Sequence, residues 1–242
     1  MGAGSVPNKI TPEQQEWLRC RANVLYFVDQ YCQIYDGTAR EWVPFQLWEG
    51  QASTLRTLLR ERLVCILKAR QLGLTWLVLG FALWLMLFYP AAVVLLFSRR
   101  DDEAIHLLDR LRGMYRRLPD WMKVKQVLKD NDHIWEFSNG STARAFPTSA
   151  GDSYTATLVI GDEFDLVPNQ GSLLGAVKPT IDGGGRMVLL SRPDKSRPAS
   201  DFKNIYRAAK AGTSPWVPIF LPWHVRPERD AAWYKEQQRD YE

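Results

Sequence analysis

One stretch constrains this chain more than any other. A short apolar run, Leu63-Val64-Cys65-Ile66-Leu67, leads into the loop Lys68-Ala69-Arg70-Gln71-Leu72-Gly73-Leu74-Thr75, and the almost wholly apolar run Trp76–Tyr89 follows. The first run has no polar alternation, which is the pattern of a strand buried on both faces. The last run is 14 residues long and is broken by Pro90. A membrane-spanning helix needs about 20 apolar residues, so this run is read as a core helix. A doubly buried strand that feeds through a short loop into a buried helix begins a parallel sheet with helices on both faces.

The rest of the chain repeats the theme. Thr11-Pro12-Glu13 is a helix start, with an N-cap threonine, proline at the first helical position and an acid in the first turn. That helix is expected to run to about Gln33, and a second to span Gln51–Glu61, with the aromatic loop Trp42–Trp48 between them. Ala92–Phe97 reads as another buried strand and Asp101–Leu118 as an amphipathic helix with an acidic start. Ile134–Phe137 and Ser141–Phe146 flank Ser138-Asn139-Gly140, a hairpin signal. Thr157–Ile160, Met187–Leu190 and Val217–Leu221 complete the strands. The predicted fold is α/β, a mostly parallel central sheet flanked by helices. Residues 1–10 are expected to be a tail, 11–200 the core, and 201–242 a lid or linker segment.

Hydrophobic residues make up 46% of the 242 residues, which excludes a disordered chain. Cys20, Cys32 and Cys65 have no metal-ligand spacing and the three histidines are scattered, so no zinc site is expected. Met1–Pro7 has none of the features of a signal peptide, and unpaired cysteines fit a reducing compartment. The net charge of +4, with basic clusters at Arg99-Arg100, Arg110–Arg117, Lys123–Lys129 and Arg192–Arg197, permits a polyanionic partner without requiring one.

The loop is a variant of the phosphate-binding pattern G-x-x-x-x-G-K-[ST]. Gly73 and Thr75 are in register, Lys68 stands where the first glycine is usual, and Leu74 where the lysine is usual. Backbone N–H groups of Gly73, Leu74 and Thr75 at a helix N-terminus would face a phosphate, with Ala69, Gln71 and Leu72 completing the loop. Thr75 Oγ can ligate Mg²⁺, and Lys68 can reach over to the β- and γ-phosphates. Leu158–Gly161 then ends in Asp162-Glu163. A carboxylate pair at the end of a buried strand is costly unless a cation sits there. Asp162 suits a Mg²⁺ shell, and Glu163 can polarise a water for in-line attack. Upstream, Gln51 follows an aromatic cluster, and its amide can pair with an adenine edge. Ser191-Arg192-Pro193 follows a later strand, where small polar residues can sense loss of phosphate.

In this order the four features resemble the ATPase domain of the large terminase subunit of tailed double-stranded DNA bacteriophages, over about Phe45 to Lys195. That family's loop commonly reads A/S-R-Q-x-G, matched here by Ala69-Arg70-Gln71-Leu72-Gly73. The resemblance implies a P-loop NTPase of the RecA/ASCE-like kind with ATP and Mg²⁺ as cofactors. It implies Gln51 as an adenine residue, Asp162 and Thr75 at the metal, Glu163 and Lys68 as catalytic residues, Arg70 as a cis arginine, and Ser191 and Arg192 as coupling residues. It also implies a ring of subunits on the procapsid, in the cytoplasm of an infected bacterial host. The partners implied are double-stranded DNA, the portal and the small terminase subunit; no membrane partner is implied. Some members supply an arginine in trans ahead of a glycine upstream of the acidic strand. Here Ala150-Gly151 stands at that place, and Arg144, Arg99 and Arg100 are the substitutes. Complete members also carry a ribonuclease-H-like nuclease. The chain ends at Glu242, so an isolated motor domain without nuclease activity is expected. Two other readings stay open: a helicase-like DNA-dependent ATPase, and a nucleotide-binding scaffold without turnover, which the displaced lysine motivates.

Overall fold

The computed structural model describes residues 10–123, 125–146 and 154–239. Residues 1–9, most of the expected tail, and Ala150-Gly151 lie outside them. The strands are β1 (Gln33–Asp36), β2 (Glu41–Pro44), β3 (Leu63–Lys68), β4 (Val93–Phe97), β5 (Val127–Asn131), β6 (Ile134–Phe137), β7 (Thr142–Phe146), β8 (Leu158–Asp162), β9 (Arg186–Ser191) and β10 (Val217–Leu221). The α-helices are α1 (Pro12–Ala22), α2 (Val24–Tyr31), α3 (Glu49–Arg60), α4 (Leu74–Phe88), α5 (Asp101–Arg116), α6 (Gln170–Val177), α7 (Asp201–Lys210) and α8 (Ala231–Arg239).

Eight strands form one sheet in the order β10-β3-β9-β8-β4-β7-β6-β5. The pairings from β10 across to β7 are parallel, and β6 and β5 add an antiparallel edge. The continuous apolar runs are explained by burial on both faces. Along β3, Val64 and Ile66 join the core under α2–α5, while Cys65 faces the opposite core. The same alternation places Val94, Leu158, Ile160, Val188 and Leu190 in the first layer, and Leu95, Phe97, Val159, Met187 and Leu189 in the second. Leu173 and Val177 of α6 and Phe202 of α7 close the second layer. A period of two therefore sorts each strand between two cores. The fold is thus a P-loop α/β sheet of the ASCE kind: β9 lies between β3, which carries the loop, and β8, which carries the acids.

Several expectations are corrected. The helix expected from Pro12 to about Gln33 breaks at Asn23, where the backbone is extended and the side chain accepts from Tyr26 N–H at 3.1 Å, capping α2. Asparagine offers the backbone this alternative to a continuous helix. Residues 33–44, expected to be helix end and loop, form the small antiparallel sheet β1–β2. Strand β5 is exposed at every position and carries no apolar alternation, so nothing in its sequence marks it. The strand expected at Val217–Leu221 forms as β10 and pairs in parallel with β3, with α7 before it.

Candidate nucleotide site

Three adjacent strands deliver the predicted residues to one place. Lys68 is the last residue of β3, Ser191 the last of β9 and Asp162 the last of β8. The register sets Leu67 beside Ser191 and Asp162 beside Leu190. Parallel strands in register end on the same edge, which is where open α/β sheets place their ligands. A cavity of about 510 Å³ opens at that edge. Its wall includes Lys68, the loop from Gln71 to Thr75, Asp162, Glu163 and Arg192.

The loop turns tightly into α4. Gly73, its N-cap, has φ +68° and ψ 8°, and a Cβ there would stand 2.8 Å from Gln51 Nε2. Both facts favour glycine. Gln71 also has positive φ, 59°. Gln51 is buried in α3, and its Nε2 donates to Leu72 O at 3.1 Å while its Oε1 accepts from Trp48 N at 3.4 Å. Both ends of this amide are engaged within the chain, so Gln51 reaches the site through the loop backbone, not through the cavity wall.

Across the cavity the acids meet the loop. Thr75 Oγ1 donates toward Asp162 and lies 3.1 and 3.2 Å from its two carboxylate oxygens. Lys68 Nζ donates to Glu163 Oε1 at 3.1 Å, and the lysine side chain is buried. Arg192 Nε is 3.7 Å from Glu163 Oε2. That Oε2 is buried and has no hydrogen-bond partner. Burial raises the Asp162 carboxyl above the usual carboxylate range, and the Lys68 charge opposes the rise. Glu163 itself has φ 47°, in the left-handed region. Its turn is made possible by Gly161, where a Cβ would stand 2.7 Å from the Phe164 ring and 2.8 Å from Leu189.

Other predicted residues lie elsewhere. Arg70 is exposed and is not part of the cavity wall. The buried Ser191 hydroxyl donates to the Arg192 carbonyl at 2.7 Å. Arg99 lines the cavity and pairs with Glu103 at 2.5 Å. Arg100 is turned outward onto Asp102 and Glu103. Arg144, on β7, lies over the Tyr154 ring at 4.8 Å. Sequence reasoning missed Ser98, Glu103, His106 and Arg110, which complete the wall from the end of β4 and from α5. It also missed two arginines behind the loop. Arg226 donates to Gln71 O at 2.9 Å, and the buried Arg229 donates to Arg70 O at 3.0 Å and to Gln71 Oε1 at 3.2 Å. No local pattern announces contacts made across such a distance in the chain.

A family model described as terminase large subunit, T4likevirus-type, N-terminal, matches residues 65–239. This chain belongs to that family. Solved terminase structures share the fold at low sequence identity. The large terminase ATPase domain of Thermus phage P74-26 aligns with a TM-score of 0.65 and 17% identity, over 81% of this chain and 88% of that one. The large terminase of bacteriophage HK97 aligns with a TM-score of 0.66 and 15% identity, over 87% of this chain and 45% of that one. The large terminase of a thermophilic bacteriophage, solved in complex with ATP-gamma-S, aligns with a TM-score of 0.62 and 13% identity, over 80% of this chain and 49% of that one. The chain thus spans about half the length of these last two terminases. Among the described residues, no helix is long and apolar enough to cross a membrane.

Proposed function

We propose that this terminase domain hydrolyses ATP with Mg²⁺, and that hydrolysis drives double-stranded viral DNA into a procapsid. The observation that carries the reading is the contact of Lys68 Nζ with Glu163 Oε1 at 3.1 Å on the wall of the loop cavity. It brings a cation for the phosphates and a carboxylate for the water into one site. ATP-gamma-S and ADP bound to the terminase of the thermophilic phage support the choice of nucleotide.

The residues fit a magnesium ion. Asp162 is a buried carboxylate that touches one hydroxyl, Thr75 Oγ1, and an anion so placed favours a cation beside it. Among the described residues no group of three or more His, Cys, Asp or Glu is gathered. That suits Mg²⁺, which takes most of its ligands from water and phosphate. Asp162 and Thr75 would hold it, and it would supply charge neutralisation to the phosphate oxygens. The chain's own residues do the rest. Loop N–H groups at the start of α4 hold the phosphates. Glu163, whose side chain lies on the cavity wall, aims the attacking water and accepts a proton from it. Lys68 and Arg192, both beside Glu163, neutralise charge that develops on the transferred phosphoryl group.

Double-stranded DNA, the portal, the small terminase subunit and further copies of the chain in a ring are the partners of this reading, in the cytoplasm of the infected bacterial host. A neighbouring copy would complete the site with an arginine, Arg99, Arg100 or Arg144 being the candidates. The deciding experiment is Mg²⁺-dependent ATP turnover by this chain beside Glu163→Gln. Turnover that is lost in the variant, with nucleotide binding kept, is the expected result. Binding without turnover at every protein concentration would favour a nucleotide-binding scaffold, and absence of binding would sink the site.

A further inference from the structure

Asp165 stands two residues after Glu163 and has no exposed surface. A buried carboxylate needs partners, and among the described residues the partners of its side chain come from the segment that follows Arg192. Asp194 N–H donates to Oδ2 at 2.6 Å, the Ser200 hydroxyl donates to Oδ1, and Lys203 Nζ lies 3.0 Å from Oδ2. The backbone carbonyl of Asp165 is held as well, by Gln170 Nε2 at 3.1 Å and by the Arg197 guanidinium. Ser200 is the N-cap of α7, and Lys203 lies in its first turn. Asp165 therefore joins the turn that carries Glu163 to the start of α7, through bonds that bypass the Ser191 hydroxyl, which is closed onto its neighbour's carbonyl.

The geometry matters at Glu163 because its backbone is held at φ 47°. A non-glycine residue keeps such a conformation only where its surroundings impose it. On one side Gly161 permits the turn; on the other the Asp165 cluster anchors it. We propose that Asp165 is a positioning residue that fixes the Glu163 turn and makes α7 the first element to register what happens at Glu163. This rests on the reading of the cavity as an ATPase site. No charge or proton passes through Asp165: a shift of the Glu163 backbone pulls on the carboxylate, and the carboxylate holds the N-terminus of α7.

The test must separate positioning from folding, because removing Asp165 alone leaves the largely buried Lys203 without a carboxylate, held only by the Asp194 and Arg197 carbonyls. Asp165→Ala is therefore combined with Lys203→Met, and Asp165→Asn with Lys203→Met serves as the conservative rescue, since asparagine can still serve Asp194 N–H and Ser200. ATP turnover, nucleotide affinity and amide hydrogen exchange of residues 201–210, with and without ATP-gamma-S, are measured on each. The alanine pair is expected to bind nucleotide within about twofold of wild type, to turn over at least about tenfold more slowly, and to lose nucleotide-dependent protection of α7; the asparagine pair restores both. An alanine pair with wild-type turnover and wild-type protection of α7 overturns the proposal. Absence of turnover in the wild type counts against the ATPase reading instead, and the exchange comparison still decides the role of Asp165.

Discussion

Lys68 and Glu163 are joined at 3.1 Å, the last residue of β3 to the first residue beyond β8, across the intervening strand β9. The lysine that the usual loop carries next to its threonine is replaced here by Leu74, whose side chain is buried. The lysine that does meet the acidic pair, Lys68, stands at the opposite end of the loop, as the last residue of a core strand.

Lys68→Ala is therefore expected to lower ATP turnover by about 10²–10³-fold, the usual cost of removing one preorganised charge stabiliser. The loop N–H groups remain, so ADP affinity should change far less. Steady-state turnover and ADP titration check this together. Turnover within threefold of wild type would mean that another cation, such as Arg192, takes this role.

Much of this was legible in the sequence, and the reasons differ by residue. Strands β3, β4, β8 and β9 are legible because both faces are buried, so their central positions form continuous apolar runs. Asp162 and Glu163 are legible as two acids at the end of an apolar strand, and the fold sets both on the cavity wall. Strand β5 was not, since all its residues face solvent. Arg70 drew notice by its place in the loop, yet its guanidinium is exposed and its carbonyl is what the structure uses, held by Arg229. Asp165 has no signature in the sequence, because its partners, from Asp194 to Lys203, are gathered only by the fold.

Gly73→Ala should damage both folding and binding. The left-handed backbone costs a residue with a Cβ about 1–2 kcal/mol, and the new methyl displaces Gln51 Nε2 from the Leu72 carbonyl. A fall in Tm of about 3–8 °C is expected for a chain of this size, with weaker nucleotide binding. Differential scanning calorimetry and nucleotide titration test it. An unchanged Tm would show that the loop relaxes easily around the added carbon.

Acid should reveal the fold of the segment after β9. The Ser196 hydroxyl, Arg197 and the Ser196 N–H hold the Asp194 carboxyl well below the usual carboxylate range. The folded state thus favours the ionised form. By linkage, this stabilisation is complete above the unfolded pKa near about 4 and is lost as pH falls through the lower folded value. The stability difference between wild type and Asp194→Asn should be constant from about pH 5 to 7 and should shrink below about pH 4. Urea unfolding at stepped pH measures it, and a difference that stays level down to pH ~2.5 contradicts the assignment.

Two arginines brace the back of the loop. For N–H groups to converge on a phosphate, their carbonyls must point away, and those of Arg70 and Gln71 point at Arg229 and Arg226. Each arginine satisfies outward carbonyls and sets a positive charge behind the loop dipoles, which favours the orientation that an anion requires. Arg229 also holds the Gln71 side chain, and Gln71 is the loop's one non-glycine residue at positive φ. Arg229→Ala should therefore weaken ATP and ADP alike, by about tenfold or 1.4 kcal/mol, since the loop holds phosphates common to both. Turnover at saturating ATP should stay within about threefold, because Lys68 and Glu163 are untouched. Arg229→Lys should recover only part of the affinity, as an ammonium cannot span the Arg70 carbonyl and the Gln71 amide with a planar fork. Calorimetric titration with both nucleotides decides the matter. Loss confined to ATP would place Arg229 with the γ-phosphate chemistry rather than with the shape of the loop, and unchanged affinity for both would leave the clasp a matter of stability alone.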